Sequence, residues 1–148
     1  MESLLVAGRA CALLAARFAG RLDVAVADPP NRMPPETLDA AQLKAHFASR
    51  GYSVRELVAL SGAHTLGAKG FGDPTTFSGE YFQYLLRKPW ESDPEMGSMI
   101  GLPTDRALVS DEETLAEVRR YAADEPAFFG DFAAALTRLA DEGAVFAS

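Results

Sequence analysis

A single cysteine, Cys11, leaves the chain no internal disulfide, and its setting among Ala and Leu residues is that of a small apolar thiol in a core. Long apolar runs are equally scarce. The most apolar stretch, Leu4 to Phe18, is broken by Arg9 and Arg17 and is shorter than the roughly 20 apolar residues that a bilayer demands, so no membrane span is expected. Basic clusters are missing too: 14 Lys and Arg stand against 21 Asp and Glu, for a net charge of −7, which removes the electrostatic footprint for nucleic acid or anionic lipid. No run alternates with period two for long enough to demand a sheet, and no internal repeat or low-complexity tract is present. A nucleotide-binding glycine loop, a zinc cluster and a serine triad are also missing; the glycines between Gly67 and Gly72 follow a helix end rather than a strand. No targeting peptide is evident.

What is present is enough apolar material for one core. A chain of 148 residues that is 48% hydrophobic and 24% charged, with no break in composition, reads as one domain over 1–148. Its pattern is helical throughout, which makes the fold class all-α. Leu4, Ala7, Cys11, Leu14, Ala15 and Phe18 recur at helical spacing, with Gly20 as the stop. Four prolines between Asp28 and Pro35 force an extended loop, after which Thr37 opens a helix running through Phe47 and ending near Gly51. Ser53 and Glu56 have capping-box spacing, so a helix begins there and runs toward Gly62. Ser78 is expected to cap the aromatic helix of Tyr81, Phe82, Tyr84, Leu85 and Leu86, closed by Pro89. Trp90 to Gly101 reads as loop. Thr104 is expected to cap a short helix bearing Asp105, Ser110 and Glu113 to open one reaching about Ala123, and Asp124 to cap a last one from Pro126 to about Glu142, with Gly143 as terminator.

Two stretches carry chemistry. Leu57-Val58-Ala59-Leu60-Ser61-Gly62-Ala63-His64-Thr65-Leu66-Gly67 is an apolar helix end running into a glycine turn that holds His64, and a neutral imidazole there is a good iron ligand. Leu102-Pro103-Thr104-Asp105-Arg106-Ala107-Leu108 places Asp105 in the first turn of an apolar segment, where it could accept a hydrogen bond from the far nitrogen of a ligating histidine. On periodicity alone, a buried histidine bonded to Asp105 for structural reasons is the stronger reading. His46, in Gln42-Leu43-Lys44-Ala45-His46-Phe47, is expected on a solvated helix face, and Arg9 and Arg17 as surface charges flanking a core stripe. Phe77, Tyr81, Phe82, Tyr84, Phe128, Phe129 and Phe132 are expected to pack as core. Glu112, Glu113, Glu117, Asp124 and Glu125 are expected as a solvated acidic face.

With LVALSGAHTLG around His64, LPTDRALVSD around Asp105 and the run Tyr121-Ala122-Ala123-Asp124-Glu125-Pro126-Ala127-Phe128-Phe129, the chain resembles the proximal half of a class I haem peroxidase of the ascorbate peroxidase kind. The matching segments extend from about Gly20-Arg21-Leu22-Asp23 to the C-terminus, and Leu4 to Arg21 resembles the family's helix after the distal one. The resemblance implies the proximal helical domain of that fold, haem b as cofactor, His64 as axial iron ligand with Asp105 behind it, and Thr65 as a weak ligand to a monovalent cation. It implies reduction of hydrogen peroxide with an organic donor, as part of the response to oxidative stress.

This chain departs from the pattern in two places. Between Lys69 and Phe77 it is shorter and lacks the Gly-Pro-Trp-Thr segment, so the proximal tryptophan has no matching position, and Trp90, lying downstream, does not take that role. No histidine or arginine stands in the context of the distal pair, so no catalytic residue is identified and peroxide reduction is expected only if those groups come from outside this chain. The alternative is a pseudoenzyme: a non-catalytic structural or assembly subunit of a larger organellar complex, such as one at the thylakoid, with protein partners. The family's members occur in chloroplasts, mitochondria and cytosol; chloroplast is the expected compartment.

Overall fold

Four of the described helices begin on a residue whose side chain accepts from a bare backbone N–H: Asp39, Ser53, Asp111 and Asp124. The computed structural model describes residues 22, 25–27, 29–30, 32–67, 70–92 and 100–146. The expected first helix lies outside them, as do Cys11, Arg9 and Arg17. Among the described residues six α-helices form and no strand element does, so the fold is all-α as expected.

Helix α1 spans Ala40–Ser49. It starts later than the Thr37 signal indicated, because Asp39 and Gln42 make the capping box: Gln42 N–H donates to Asp39 Oδ1 over 2.8 Å, and Asp39 N–H to Gln42 Oε1 over 3.2 Å. Helix α2, Val54–Ser61, opens on the expected Ser53 and Glu56 box and runs into a 3₁₀ turn, Gly62–Thr65. Helix α3 is Glu80–Arg87. Ser78 Oγ does accept from Glu80 N–H, but the cap position belongs to Gly79, whose N–H donates to Glu125 Oε2 over 2.7 Å. Lys88 then takes a left-handed φ of 48° and ends the helix as its C-cap, its N–H on Tyr84 O and Leu85 O, with Pro89 following. A single 3₁₀ turn follows, Pro89–Glu91.

Two expected caps are corrected. Helix α4, Pro103–Ala107, has Leu102 at its cap, with Asp105 taking the Leu102 N–H over 2.7 Å; Thr104 lies inside the helix and its N–H goes to Glu36 O. Helix α5, Glu112–Ala123, is capped by Asp111, which accepts from Glu113 and Thr114 N–H, while the Ser110 hydroxyl turns back to Ala107 O. Helix α6, Glu125–Asp141, is capped by Asp124 as expected, and Gly143 follows it with φ 73°.

Helix α2 lies against α5 and α6, and α3 against α5. Leu57, Val58 and Ala59 are buried from α2, Tyr81, Phe82 and Leu85 from α3, Val118 and Tyr121 from α5, and Phe128 from α6. The aromatic residues form this core, as their spacing indicated: Phe82 meets Phe128 edge-on at 4.9 Å and Tyr121 at 5.1 Å, and Phe77 lies 4.7 Å from Phe132. The acidic residues are less uniform than a solvated face. Glu112, Glu113 and Asp124 are exposed, but Glu117 is half-buried and paired with Arg55 and Arg120, both at 3.3 Å, and Glu125 holds Gly79.

Gly62 is the hinge between this core and the turn bearing His64. A Cβ there would stand 2.4 Å from Phe128 Cε2 and 2.9 Å from Phe82 Cζ, so only glycine lets the turn come down onto the aromatic rings. Gly62→Ala is therefore expected to destabilise by about 1–3 kcal/mol through overpacking. Gly130→Ala, exposed on α6 with nothing within 4 Å of its Cβ, is expected to stabilise by about 0.5–1 kcal/mol. Urea denaturation midpoints of the two variants check both signs.

Candidate functional site

At the end of α2 the backbone tightens into the 3₁₀ turn, and this puts the His64 ring beside the first turn of α4. His64 Nδ1 and Asp105 Oδ1 are 2.7 Å apart. The imidazole is partly exposed, at 36%, and the carboxylate is sealed, at 1%. A carboxylate so deep needs donors on every side. Asp105 has three: His64 Nδ1 and Tyr81 OH share Oδ1, each at 2.7 Å, and Leu102 N–H takes Oδ2 at 2.7 Å. Tyr81 is fully buried, with Phe71 edge-on at 4.9 Å and Phe82 at 5.0 Å. Burial, and then the negative charge of Asp105, push its phenol well above the ordinary tyrosine range.

The other ring nitrogen of His64, Nε2, has no hydrogen-bond partner among the described residues. The ring lines a cleft of about 300 Å³ with apolar walls from Pro34, Leu57, Leu60 and Leu102. That volume is at the lower end of small-ligand pockets, about 300–1,000 Å³. An imidazole held from behind and open in front, on an apolar cleft, fits the donor that a haem iron takes.

Thr65, the expected cation ligand, is buried at 1%, and its Oγ1 has no hydrogen-bond partner among the described residues. Among the described residues no group of three or more His, Cys, Asp or Glu converges to complete a metal site. A hard cation takes six or more oxygens, so Thr65 would be one ligand among several.

Two side chains of the site escaped the sequence reading. Tyr81 was assigned to packing alone; the available signal was a tyrosine in a buried stripe, since a buried hydroxyl demands an acceptor. His46 does not stand on a solvated face. It is half-buried, lines the same cleft as His64, and has its Nε2 3.3 Å from Arg32 O. The α1 face on which it stands is covered by the proline-rich loop, a tertiary contact that helical periodicity does not encode. Trp90 packs against the core beneath the Arg106 guanidinium, which stands 5.6 Å from its ring centre.

A family model described as Peroxidase matches residues 5–124. A candidate L-ascorbate peroxidase 6 of Arabidopsis thaliana is 56% identical over 125 residues, covering 84% of this chain and 38% of that protein. A candidate heme-binding peroxidase of Cryptococcus neoformans is 39% identical, over 78% of this chain and 41% of that protein. A mitochondrial cytochrome c peroxidase of Aspergillus fumigatus is 34% identical, over 85% of this chain and 40% of that protein. The chain thus spans about two fifths of the length of the curated relatives it matches. Among the described residues no helix is long and apolar enough to cross a membrane.

The buried phenol makes an alkaline prediction. Below about pH 10 both folded and unfolded chains keep the Tyr81 proton; above it only the unfolded chain loses it, so stability falls as pH rises. Tyr81→Phe is expected to cost about 1.5–3 kcal/mol at neutral pH, through the lost bond to a charged acceptor. Above about pH 10 its stability should decline less steeply than that of the parent, by up to about 1.4 kcal/mol per pH unit. Denaturation midpoints from neutral to alkaline pH measure both effects.

Proposed function

Because this chain belongs to the peroxidase family, we propose that it is a haem-binding, peroxidase-like domain in which His64 is the axial iron ligand and Asp105 the carboxylate behind it. The observation that carries this reading is the 2.7 Å bond from His64 Nδ1 to a sealed Asp105, with Nε2 left facing an apolar cleft. The group we assign is haem b. When bound, it supplies the iron redox chemistry by which peroxide is reduced.

The residues of this chain do the holding. Asp105 keeps the His64 proton on Nδ1, which fixes the tautomer and presents Nε2 as the electron-pair donor. Its partial pull on that proton gives the ring imidazolate character, which favours higher oxidation states of a bound iron. Leu102 N–H and Tyr81 OH hold the carboxylate in place. Peroxide cleavage further calls for a base to move the peroxide proton and a cation to stabilise the departing oxygen, each a matter of about 10²-fold or more. Neither role is assigned to a residue of this chain, so turnover of hydrogen peroxide depends on groups contributed from elsewhere.

The short Lys69 to Phe77 connection supports a second reading: a non-catalytic subunit that keeps the family's helices as a scaffold in a larger assembly. An organellar setting accords with the mitochondrial relatives. The chloroplast is our assignment from the resemblance to ascorbate peroxidases.

Titrating the purified chain with haemin separates the two readings. A Soret band that develops on addition and is lost in His64→Ala supports the first. Asp105→Asn should weaken haem binding by about 10–100-fold while leaving the helical circular dichroism intact. A folded chain that stays colourless, or one whose Soret band survives His64→Ala, overturns the axial role.

A further inference from the structure

Asp105 Oδ1 accepts two hydrogen bonds of the same length, 2.7 Å from Tyr81 OH and 2.7 Å from His64 Nδ1. We infer that Tyr81 is a positioning residue that sets how much of the Asp105 charge reaches the His64 imidazole. Two donors on one oxygen compete: each draws electron density from it, and the stronger one donor's grip, the weaker the pull left for the other. Leu102 N–H holds Oδ2 at 2.7 Å, which anchors the carboxylate with Oδ1 turned toward both donors.

The phenol is fixed in this role. Its ring is fully buried and held edge-on by Phe71 and Phe82, and no second acceptor for its proton is found among the described residues. Tyr81 stands in the first turn of α3, whose N-terminal end is tied to α6 by the bond from Gly79 N–H to Glu125 Oε2. Helix packing therefore sets the position of the hydroxyl, and swinging it away would require Tyr81 to leave the core. The competition for Oδ1 exists in the chain without any ligand. Its consequence for iron, a ligand that donates less electron density than an aspartate-bound imidazole otherwise would, rests on the haem reading above.

The test uses the haem-free chain and the nitrogen-15 shift of His64 Nδ1, read through the carbon-bound ring protons and assigned by its loss in His64→Gln. In Tyr81→Phe the shift should move downfield, toward stronger proton donation to Asp105, with the His46 nitrogens unmoved. Replacing every tyrosine by monofluorotyrosine, whose phenol is the stronger donor, should move it upfield; this arm decides alone if Tyr81→Phe does not fold. No movement, or movement of the same sign in both, overturns the inference. In the haem-loaded ferrous chain the iron–imidazole stretching frequency should rise in Tyr81→Phe. A chain that takes up no haem ends the axial role and leaves the nitrogen shift to decide Tyr81; a haem-loaded chain with an unmoved nitrogen ends the role of Tyr81 instead.

Discussion

A carboxylate at 1% exposure, with no water to solvate it, has to be answered from every direction, and Asp105 is answered from three parts of the chain. His64 comes from the turn after α2, Tyr81 from α3 and the Leu102 N–H from the start of α4. Removing one partner of a buried ionic group typically costs about 3–5 kcal/mol, because the other charge is left without compensation. The carboxylate therefore acts as a constraint on tertiary structure as well as on chemistry. It fixes how the end of α2 meets the start of α4, and it requires α3 to face a hydroxyl into the space between them.

The surrounding packing serves that requirement. Gly62 lets the 3₁₀ turn settle on Phe128 and Phe82. Gly101, at φ 68°, makes a similar approach on the other side: a Cβ there would meet Phe71 Cζ at 2.6 Å, so the loop that delivers Leu102 and Asp105 can close over the ring that packs against Tyr81. Both glycines are thus explained by the aromatic cluster, and the cluster in turn holds the phenol that bonds Asp105. Core packing and site geometry are one arrangement here, which is why substitutions in the aromatic core should be felt at His64.

How much of this was legible depended on whether the signal was local. The Ser53 and Glu56 box is a contact three residues apart, and it formed as spaced. The rival signals Ser110 and Asp111 were not separable by spacing. Asp111 prevails because its carboxylate has a second use: it takes Lys44 Nζ at 2.7 Å, a bond across 67 residues, and the ammonium, with the Thr114 N–H, holds the carboxyl below its ordinary range. Thr104 does not cap because Pro103, with its fixed φ, starts the helix one residue earlier and leaves Leu102 at the cap. The pairing of His64 with Asp105, 41 residues apart, followed from the family resemblance and not from periodicity. Nothing in the sequence spacing gave Tyr81 its acceptor, and nothing local placed His46 on the cleft.

The two nitrogens of the His64 ring stand in different surroundings. At 36% exposure the second nitrogen is within reach of solvent, so what calls for explanation is the buried carboxylate behind the first. Here the investment is lopsided. Nδ1 receives a sealed carboxylate backed by a backbone amide and a buried phenol, whereas Nε2 has no hydrogen-bond partner among the described residues and the ring lines a cleft walled mostly by apolar side chains, with Arg32, Glu36 and Arg50 among its lining. A carboxylate buried only to bond a half-exposed imidazole would be a poor source of stability, because replacing such a pair by well-packed apolar residues is often neutral or stabilising. Its persistence makes sense if the electron pair on Nε2 is what the arrangement is for. That asymmetry, more than the presence of histidine in a familiar string, is the physical ground on which the proposed axial role of His64 rests.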